Sequence, residues 1–169
     1  MRILITYGSK LGGTREIAGQ LASGLRAAGL DARALPPEEV DDVRAYDAVI
    51  VGGGLYAGRW HRRARRFVHR HVQALRERPV WFFSSGPLDD SASRGNVPPT
   101  TQVRALMEQV GARGHVTFGG RLEPDARGFI ARAMAREHAG DWRDPEHVTR
   151  WAHSVALELR DAAFLEAPR

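Results

Sequence analysis

Four short runs in this 169-residue chain are apolar at nearly every position, and each passes directly into glycine or serine. They are Ile3–Tyr7, followed by Gly8-Ser9; Asp47–Val51, followed by Gly52-Gly53-Gly54; Val80–Phe83, followed by Ser84-Ser85-Gly86-Pro87; and His115–Phe118, followed by Gly119-Gly120. A strand with one wet face alternates apolar with polar residues. A run without alternation has to be covered on both faces, which is the situation of a parallel strand in a sheet flanked by helices. A weaker run, Asp31–Leu35, ends at Pro36-Pro37 and is expected at an edge. Helical periodicity fills the intervals near residues 14–28, 61–77 and 101–111, with a last stretch near 145–163. This β–α alternation, closed by right-handed crossovers, predicts an α/β fold: a doubly wound, five-stranded parallel sheet with helices on both faces.

Ligands of such sheets sit beyond the carboxyl ends of the strands, where the strand order switches. The glycine- and serine-rich segments stand at those ends. The first, Ser9-Lys10-Leu11-Gly12-Gly13-Thr14, lies between a buried strand and a helix-like stretch, Arg15–Ala28. Free N–H groups and the positive end of the helix dipole at such a junction suit a phosphate. Thr14 fits the N-cap, with Ile17 and Leu21 opening the buried face. An ordinary strand-to-helix turn has the same outline, so this loop alone leaves both readings open.

The neighbouring loops narrow the choice. A Walker-type loop needs lysine after its glycines, whereas Lys10 precedes Gly12 and Gly13. A dinucleotide fingerprint belongs after the first strand, but the comparable cluster, Gly52–Gly58, follows the third. Glycine there lets a flat ligand approach the backbone. A mononucleotide with its phosphate on the first loop and its ring between the third and fourth strand ends satisfies these conditions, and FMN is such a ligand. Ser84-Ser85-Gly86 lacks the nucleophile-elbow pattern of α/β hydrolases.

The first loop, Ser9 through Gly12 to Thr14 with Arg15-Glu16-Ile17-Ala18 behind it, resembles the flavodoxin family. More narrowly it is similar to the branch that contains menaquinone-dependent protoporphyrinogen IX dehydrogenase. Gly58-Arg59-Trp60-His61 resembles that branch's Gly-x-aromatic-His before a basic helix. The likeness continues in Gly120-Arg121-Leu122 and from Asp144-Pro145-Glu146 to Trp151-Ala152, so that it spans essentially the whole chain. The resemblance implies a flavodoxin-like sheet in the strand order 2-1-3-4-5 and noncovalent FMN. Ser9, Lys10, Leu11, Gly12, Gly13 and Thr14 would hold its phosphate; Gly54, Leu55, Tyr56, Ala57 and Gly58, with Ser85, Gly86, Pro87 and Leu88, would flank its ring. A deazaflavin would use the same loops. Two departures stand out: Leu11 occupies a position where flavodoxins often carry a hydroxyl or acid, and Gly86-Pro87-Leu88-Asp89-Asp90 does not follow the dehydrogenase closely.

The implied activity is that of an FMN-dependent oxidoreductase exchanging electrons with a quinone or a redox partner protein. The alternatives are a non-enzymatic electron carrier and a binding module without flavin. Carriers of this family are usually acidic; the formal net charge of +5 here favours the enzyme. Of the 25 basic residues only Lys10 is a lysine, a skew that GC-rich coding also produces.

Residues Arg59 to Arg78 contain eight arginines and one glutamate. On a helix, Ala64, Phe67, Val68, His71, Val72 and Leu75 form the buried stripe, and Arg62, Arg63, Arg65, Arg66 and Arg70 project outward. That face is either merely solvated or a dock for an anionic substrate or membrane surface. No recognition motif accompanies the charge, so no nucleic-acid partner is expected. Tyr56 and Trp60 suit stacking on a flat ring, with Trp60 alternatively anchoring the next helix. His69 and His71, two apart, point to different helix faces, and no metal site is expected. The absence of cysteine excludes disulfides, thiolate zinc and cysteine-ligated clusters. No stretch approaches the ~18 to 20 apolar residues of a membrane span. Met1-Arg2 leads straight into a strand rather than a leader, which predicts a cytoplasmic protein, peripheral at the inner membrane face if the basic helix docks there. The length suits one domain, residues 1–169, with an insertion or lid at about 121–145. Within it Phe129–Arg136 is amphipathic, which fits a lid, a membrane-facing helix or surface packing.

Overall fold

The computed structural model describes residues 1–10, 12–87, 89–95, 97–122 and 140–166, with side chains in the last helix described as far as Ala162. Five parallel strands form the sheet: β1 (Arg2–Gly8), β2 (Asp31–Leu35), β3 (Ala48–Tyr56), β5 (Val80–Ser85) and β6 (Gly114–Phe118). Their order is β2-β1-β3-β5-β6, which is the predicted order of the five parallel strands. The strand left out of that count, β4 (Arg59–Trp60), pairs antiparallel with the end of β3 and makes the sheet six-stranded.

Each central strand sends alternate residues into two separate cores. Ile3, Ile5, Ile50, Trp81 and Phe83 join Ile17, Leu21 and Leu25 of α1 (Gly13–Ala27) and Val148, Ala152 and Val155 of the last helix, α6 (Pro145–Glu166). Leu4, Val49, Val51, Val80 and Phe82 join Phe67 and Val68 of α2 (Arg62–Arg70), Leu75 of α3 (Val72–Arg76) and Val103 and Leu106 of α5 (Thr101–Val110). Both faces of the strands are therefore dry, and this is why the runs lack alternation. Each fully buried aliphatic or aromatic side chain contributes about 1.5–3 kcal/mol to holding a helix on the sheet. The short α4 (Ser91–Arg94) follows β5. A separate two-stranded ribbon joins β7 (Arg121–Leu122) to β8 (Gly140–Asp141).

Three boundaries differ from the sequence reading. Gly52, Gly53 and Gly54, read as a loop, are strand residues of β3. A Cβ on Gly52 would lie 2.0 Å from the Phe83 ring, and one on Gly53 2.4 Å from the Trp60 ring. These glycines make room for neighbouring aromatics inside the sheet. The predicted helix over 61–77 is two helices, because His71 leaves the helical region (φ −112°, ψ 18°). Its N–H donates to the carbonyls of both Phe67 and Val68, tightening the last turn of α2. Finally, α1 starts at Gly13 with Gly12 as N-cap, so Thr14 sits inside the first turn and not at the cap. Of the segment at 121–145, the paired strands β7 and β8 and residues 142–145 are described, while Phe129–Arg136 lies outside the described residues.

Candidate functional site

The parallel register aligns Gly8 of β1 with Gly53 of β3, Gly54 with Ser85 of β5, and Ser85 with Phe118 of β6. The loops leaving these positions therefore meet at one edge of the sheet. In the first loop Gly12 adopts φ +86°, a left-handed conformation that suits glycine and turns the chain into α1. No side chain caps the helix there. The partly buried Ser9 hydroxyl oxygen accepts the Gly12 N–H at 3.0 Å, closing the turn, and its own O–H is left to donate. Gly13 and Thr14 are buried, Thr14 to 3% exposure, and Lys10 is exposed. Leu11 lies outside the described residues.

The second wall is a hairpin. β3 turns back into β4 through Ala57 (φ +49°) and Gly58 (φ +71°), and two successive positive φ values match the twist of a tight two-residue turn. Ala57 is the one non-glycine residue with positive φ among the described residues. Leu55 is half-buried, and Tyr56, Ala57 and Gly58 are exposed. The Tyr56 hydroxyl accepts the Lys10 N–H at 3.2 Å, so the hairpin tip touches the first loop directly. A Cβ added to Gly54 would lie 3.0 Å from Thr14 Oγ1 and 3.2 Å from the Tyr56 hydroxyl. Glycine thus lets the first turn of α1, the tyrosine and the end of β3 close on one another at one junction.

Trp60 does not face that junction. It is 1% exposed, packs on Phe82 at 4.8 Å between ring centres, and donates its indole N–H to Ser84 Oγ at 2.8 Å. Its backbone N–H donates to Gln102 Oε1 at 3.0 Å. Of its two sequence readings, the anchor is the one the structure bears out. Ser84 Oγ also lies 2.9 Å from His115 Nε2, extending the anchor to β6. Burial lowers the His115 pKa to about 4, so the ring is neutral in this network at neutral pH.

The third wall follows β5. Ser85 is buried, and Gly86 and Pro87 are half-buried; Leu88 lies outside the described residues. A Cβ on Gly86 would lie 2.7 Å from Leu55 Cβ, which places this loop against the hairpin. The Gly86 N–H donates to Phe118 O, and the Gly120 N–H donates to Pro87 O at 2.7 Å. Gly119 serves packing: a Cβ there would fall 1.9 Å from the Trp142 carbonyl oxygen.

A cluster that sequence reasoning missed braces the first turn of α1. Glu16 receives Arg121 at 3.0 Å on one carboxylate oxygen and Arg143 at 2.5 Å on the other. Arg143, whose side chain is 9% exposed, also grips Asp141 through two nitrogens. The Arg143 hydrogen bonds hold the Asp141 carboxyl below its ordinary pKa. Both ends of the β7–β8 ribbon are thereby tied to the helix beside Gly13. The sole hint in the sequence was Gly120-Arg121-Leu122. A cavity of about 400 Å³ lined by Arg94, His115, His147, Arg150 and Trp151, among others, shares no lining residue with this site.

The flavodoxin domain model matches residues 4–141 of the chain. The chain belongs to the flavodoxin domain family. Among curated proteins, protoporphyrinogen IX dehydrogenase [quinone] of Escherichia coli K12 is 33% identical over 86 residues, which is 50% of this chain and 48% of that protein. The match thus spans about half the length of that relative. Among solved structures, a cysteine-to-serine variant of flavodoxin from Pseudomonas aeruginosa superposes with a TM-score of 0.61 at 20% identity, covering 95% of this chain and 99% of that one. Rubredoxin oxygen:oxidoreductase from Desulfovibrio gigas gives 0.63 at 15% identity, over 98% of this chain and 37% of that one. These two show the shared fold.

FMN is the cofactor of this flavodoxin-family chain, and the residues present fit it. The α1 N-terminus has no side-chain cap, and a Cβ on Gly12 would meet nothing within 4 Å, leaving the turn open for a phosphate. Thr14 and Tyr56 close on Gly54 beside it. When bound, FMN supplies the one- and two-electron redox chemistry.

Proposed function

We propose that this chain is an FMN-dependent oxidoreductase that dehydrogenates a porphyrinogen-type substrate with a quinone as acceptor. The single observation that carries the cofactor part is the uncapped N-terminus of α1, whose turn at Gly12 is open, beside the junction of Thr14, Gly54 and Tyr56. The substrate and acceptor rest on the partial identity to protoporphyrinogen IX dehydrogenase [quinone]. In this reading the backbone N–H groups of the first turn of α1 and the hydroxyls of Ser9 and Thr14 bind the phosphate, with Lys10 adding charge. Leu11, Gly12 and Gly13 would add backbone N–H groups to the same phosphate. Gly54, Leu55, Tyr56, Ala57 and Gly58 form one side of the ring site, and Ser85, Gly86, Pro87 and Leu88 the other. Trp60, Ser84 and Gln102 hold the hairpin at its distance from the first loop. Each pair of hydrogens that leaves the substrate ends on the quinone, which becomes a quinol, so the protein's task is positioning and exclusion of water. Residues 1–169 act as one domain in this account, with 121–145 as its insertion.

The test is turnover of a chemically reduced porphyrinogen by FMN-loaded protein with a soluble menaquinone analogue. Quinone-dependent porphyrin formation that disappears without FMN supports the proposal. Rapid reduction by a flavoprotein reductase, with no turnover by any quinone, identifies an electron carrier instead and sinks it.

A further inference from the structure

Of the eight arginines between Arg59 and Arg78, Arg65 is half-buried, its Nε without a partner among the described residues, and does not project outward as expected; the other seven separate into two kinds. Some are fastened to the fold. Arg78 donates to the carbonyls of Ala74, Val43 and Tyr46, Arg76 donates to the Gln109 carbonyl, and Arg63 pairs with Glu38 at 2.8 Å. Arg59, Arg62, Arg66 and Arg70 are exposed and have no ion pair among the described residues. Arg62, Arg66 and Arg70 follow one another at four-residue intervals and so share a face of α2; Arg59 stands just before them on β4.

This arrangement works against the helix that carries it. Like charges four residues apart repel along the face, and Arg62 and Arg63 stand in the first turn, where the helix dipole disfavours cations. The acidic residues on the neighbouring turn, Glu38 and Glu39, offset only part of this, since Glu38 is engaged by Arg63. The face also begins at the cofactor hairpin: Arg59 is the cross-strand partner of the exposed Tyr56.

We infer that Arg59, Arg62, Arg66 and Arg70 dock the protein on an anionic lipid surface, with Tyr56 and the hairpin tip facing the bilayer. Guanidinium groups recognise lipid phosphates through paired hydrogen bonds, and a tyrosine suits the boundary between headgroups and acyl chains. The inference rests on the quinone-acceptor reading in one respect. A lipid-soluble quinone resides in the bilayer, and no helix among the described residues is long and apolar enough to cross it. A surface that presents the cofactor edge to the membrane resolves that mismatch. An acidic redox protein is the competing occupant of the same charge.

The experiment is co-sedimentation of FMN-loaded protein with phosphatidylcholine vesicles, with and without about 30% phosphatidylglycerol. Expected are binding to the anionic vesicles only, weakening with added salt, and a loss of about fivefold for each arginine neutralised among Arg62→Gln, Arg66→Gln and Arg70→Gln. An equal loss of charge at Arg33, Arg104 and Arg150 leaves most of the binding in place. Retained FMN absorbance and an unchanged melting temperature show that each variant is folded. In the triple α2 variant, turnover with a soluble quinone stays at the wild-type level, while turnover with quinone embedded in anionic vesicles falls. Absence of wild-type binding to the anionic vesicles overturns the inference, as does equal binding by the triple α2 variant. Salt-sensitive capture of an acidic protein without vesicle binding also overturns it. Vesicle binding is read without substrate, so a protein that binds anionic vesicles yet turns over no quinone supports the docking face and contradicts the enzymatic reading instead.

Discussion

Thr14 Oγ1 lies 3.0 Å from the position a Cβ on Gly54 would take, so the first turn of α1 and the end of β3 meet there. Removing the hydroxyl in Thr14→Ala is expected to weaken FMN binding by about 1–2 kcal/mol, read as a five- to thirtyfold rise in Kd in a flavin fluorescence titration. Gly54→Val should weaken it further by pushing Thr14 and Tyr56 away from the end of β3. Unchanged affinity in both would remove this junction from the site. His115 makes a prediction of a different sort. Its folded pKa, about 4, lies below the ordinary histidine value near 6.5, so the unfolded chain binds the extra proton first. The neutral ring leaves stability intact above pH ~6.5, and stability falls as pH drops from there towards 4, by on the order of 2 kcal/mol. His115→Gln, which keeps a group able to bond Ser84, should flatten that part of the urea-unfolding profile relative to wild type. An identical pH profile for the two proteins would show that His115 is not buried as described.

At the scale of elements, the hairpin and the Glu16 brace set the shape of the site. Ala57 carries a conformation that a β-branched residue resists, so Ala57→Val should lower stability by about 1–2 kcal/mol, while Ala57→Gly changes it little. Thermal melts of both variants check this; equal stabilities would mean the turn has another geometry in solution. Glu16→Gln leaves Arg143 with Asp141 alone and weakens the tie of the β7–β8 ribbon to α1. Glu16 is half-exposed, and the expected loss is therefore only about 1 kcal/mol. Hydrogen exchange at residues 121–122 and 140–141 should rise in that variant, and an unaltered pattern would show that the brace is idle.

The elements were legible to different degrees, for identifiable reasons. Buried parallel strands announce themselves because both neighbours are dry, so Ile3–Tyr7 and Val80–Phe83 were plain in the sequence. The glycines after Val51 were misread because their cause is steric and distant: Phe83 and Trp60 occupy the space where side chains would be. The ambiguity of Trp60 had the same root, since only its partner Ser84 reveals that the indole points inward. The Glu16 brace joins residues 105 and 127 positions apart, a separation that no local pattern encodes.

Across the whole molecule, connection rules lead to a doubly wound parallel sheet and the family resemblance to its strand order, while the placement of Thr14 inside the helix depends on a single backbone angle at Gly12. The loops of the site were found together because the fold brings the ends of β1, β3 and β5 to one edge. Charge distribution belongs to this scale as well: the exposed arginines of α2 follow directly on the hairpin. The central claim is that the uncapped start of α1 and the junction beside Gly54 form a phosphate-anchored flavin site. Titration of flavin-free protein with FMN and with riboflavin, which lacks the phosphate, tests it most directly. The account predicts that FMN binds at least about 100-fold more tightly, the worth of two or so charge-assisted hydrogen bonds. Equal affinity for the two, or binding of neither, would contradict it.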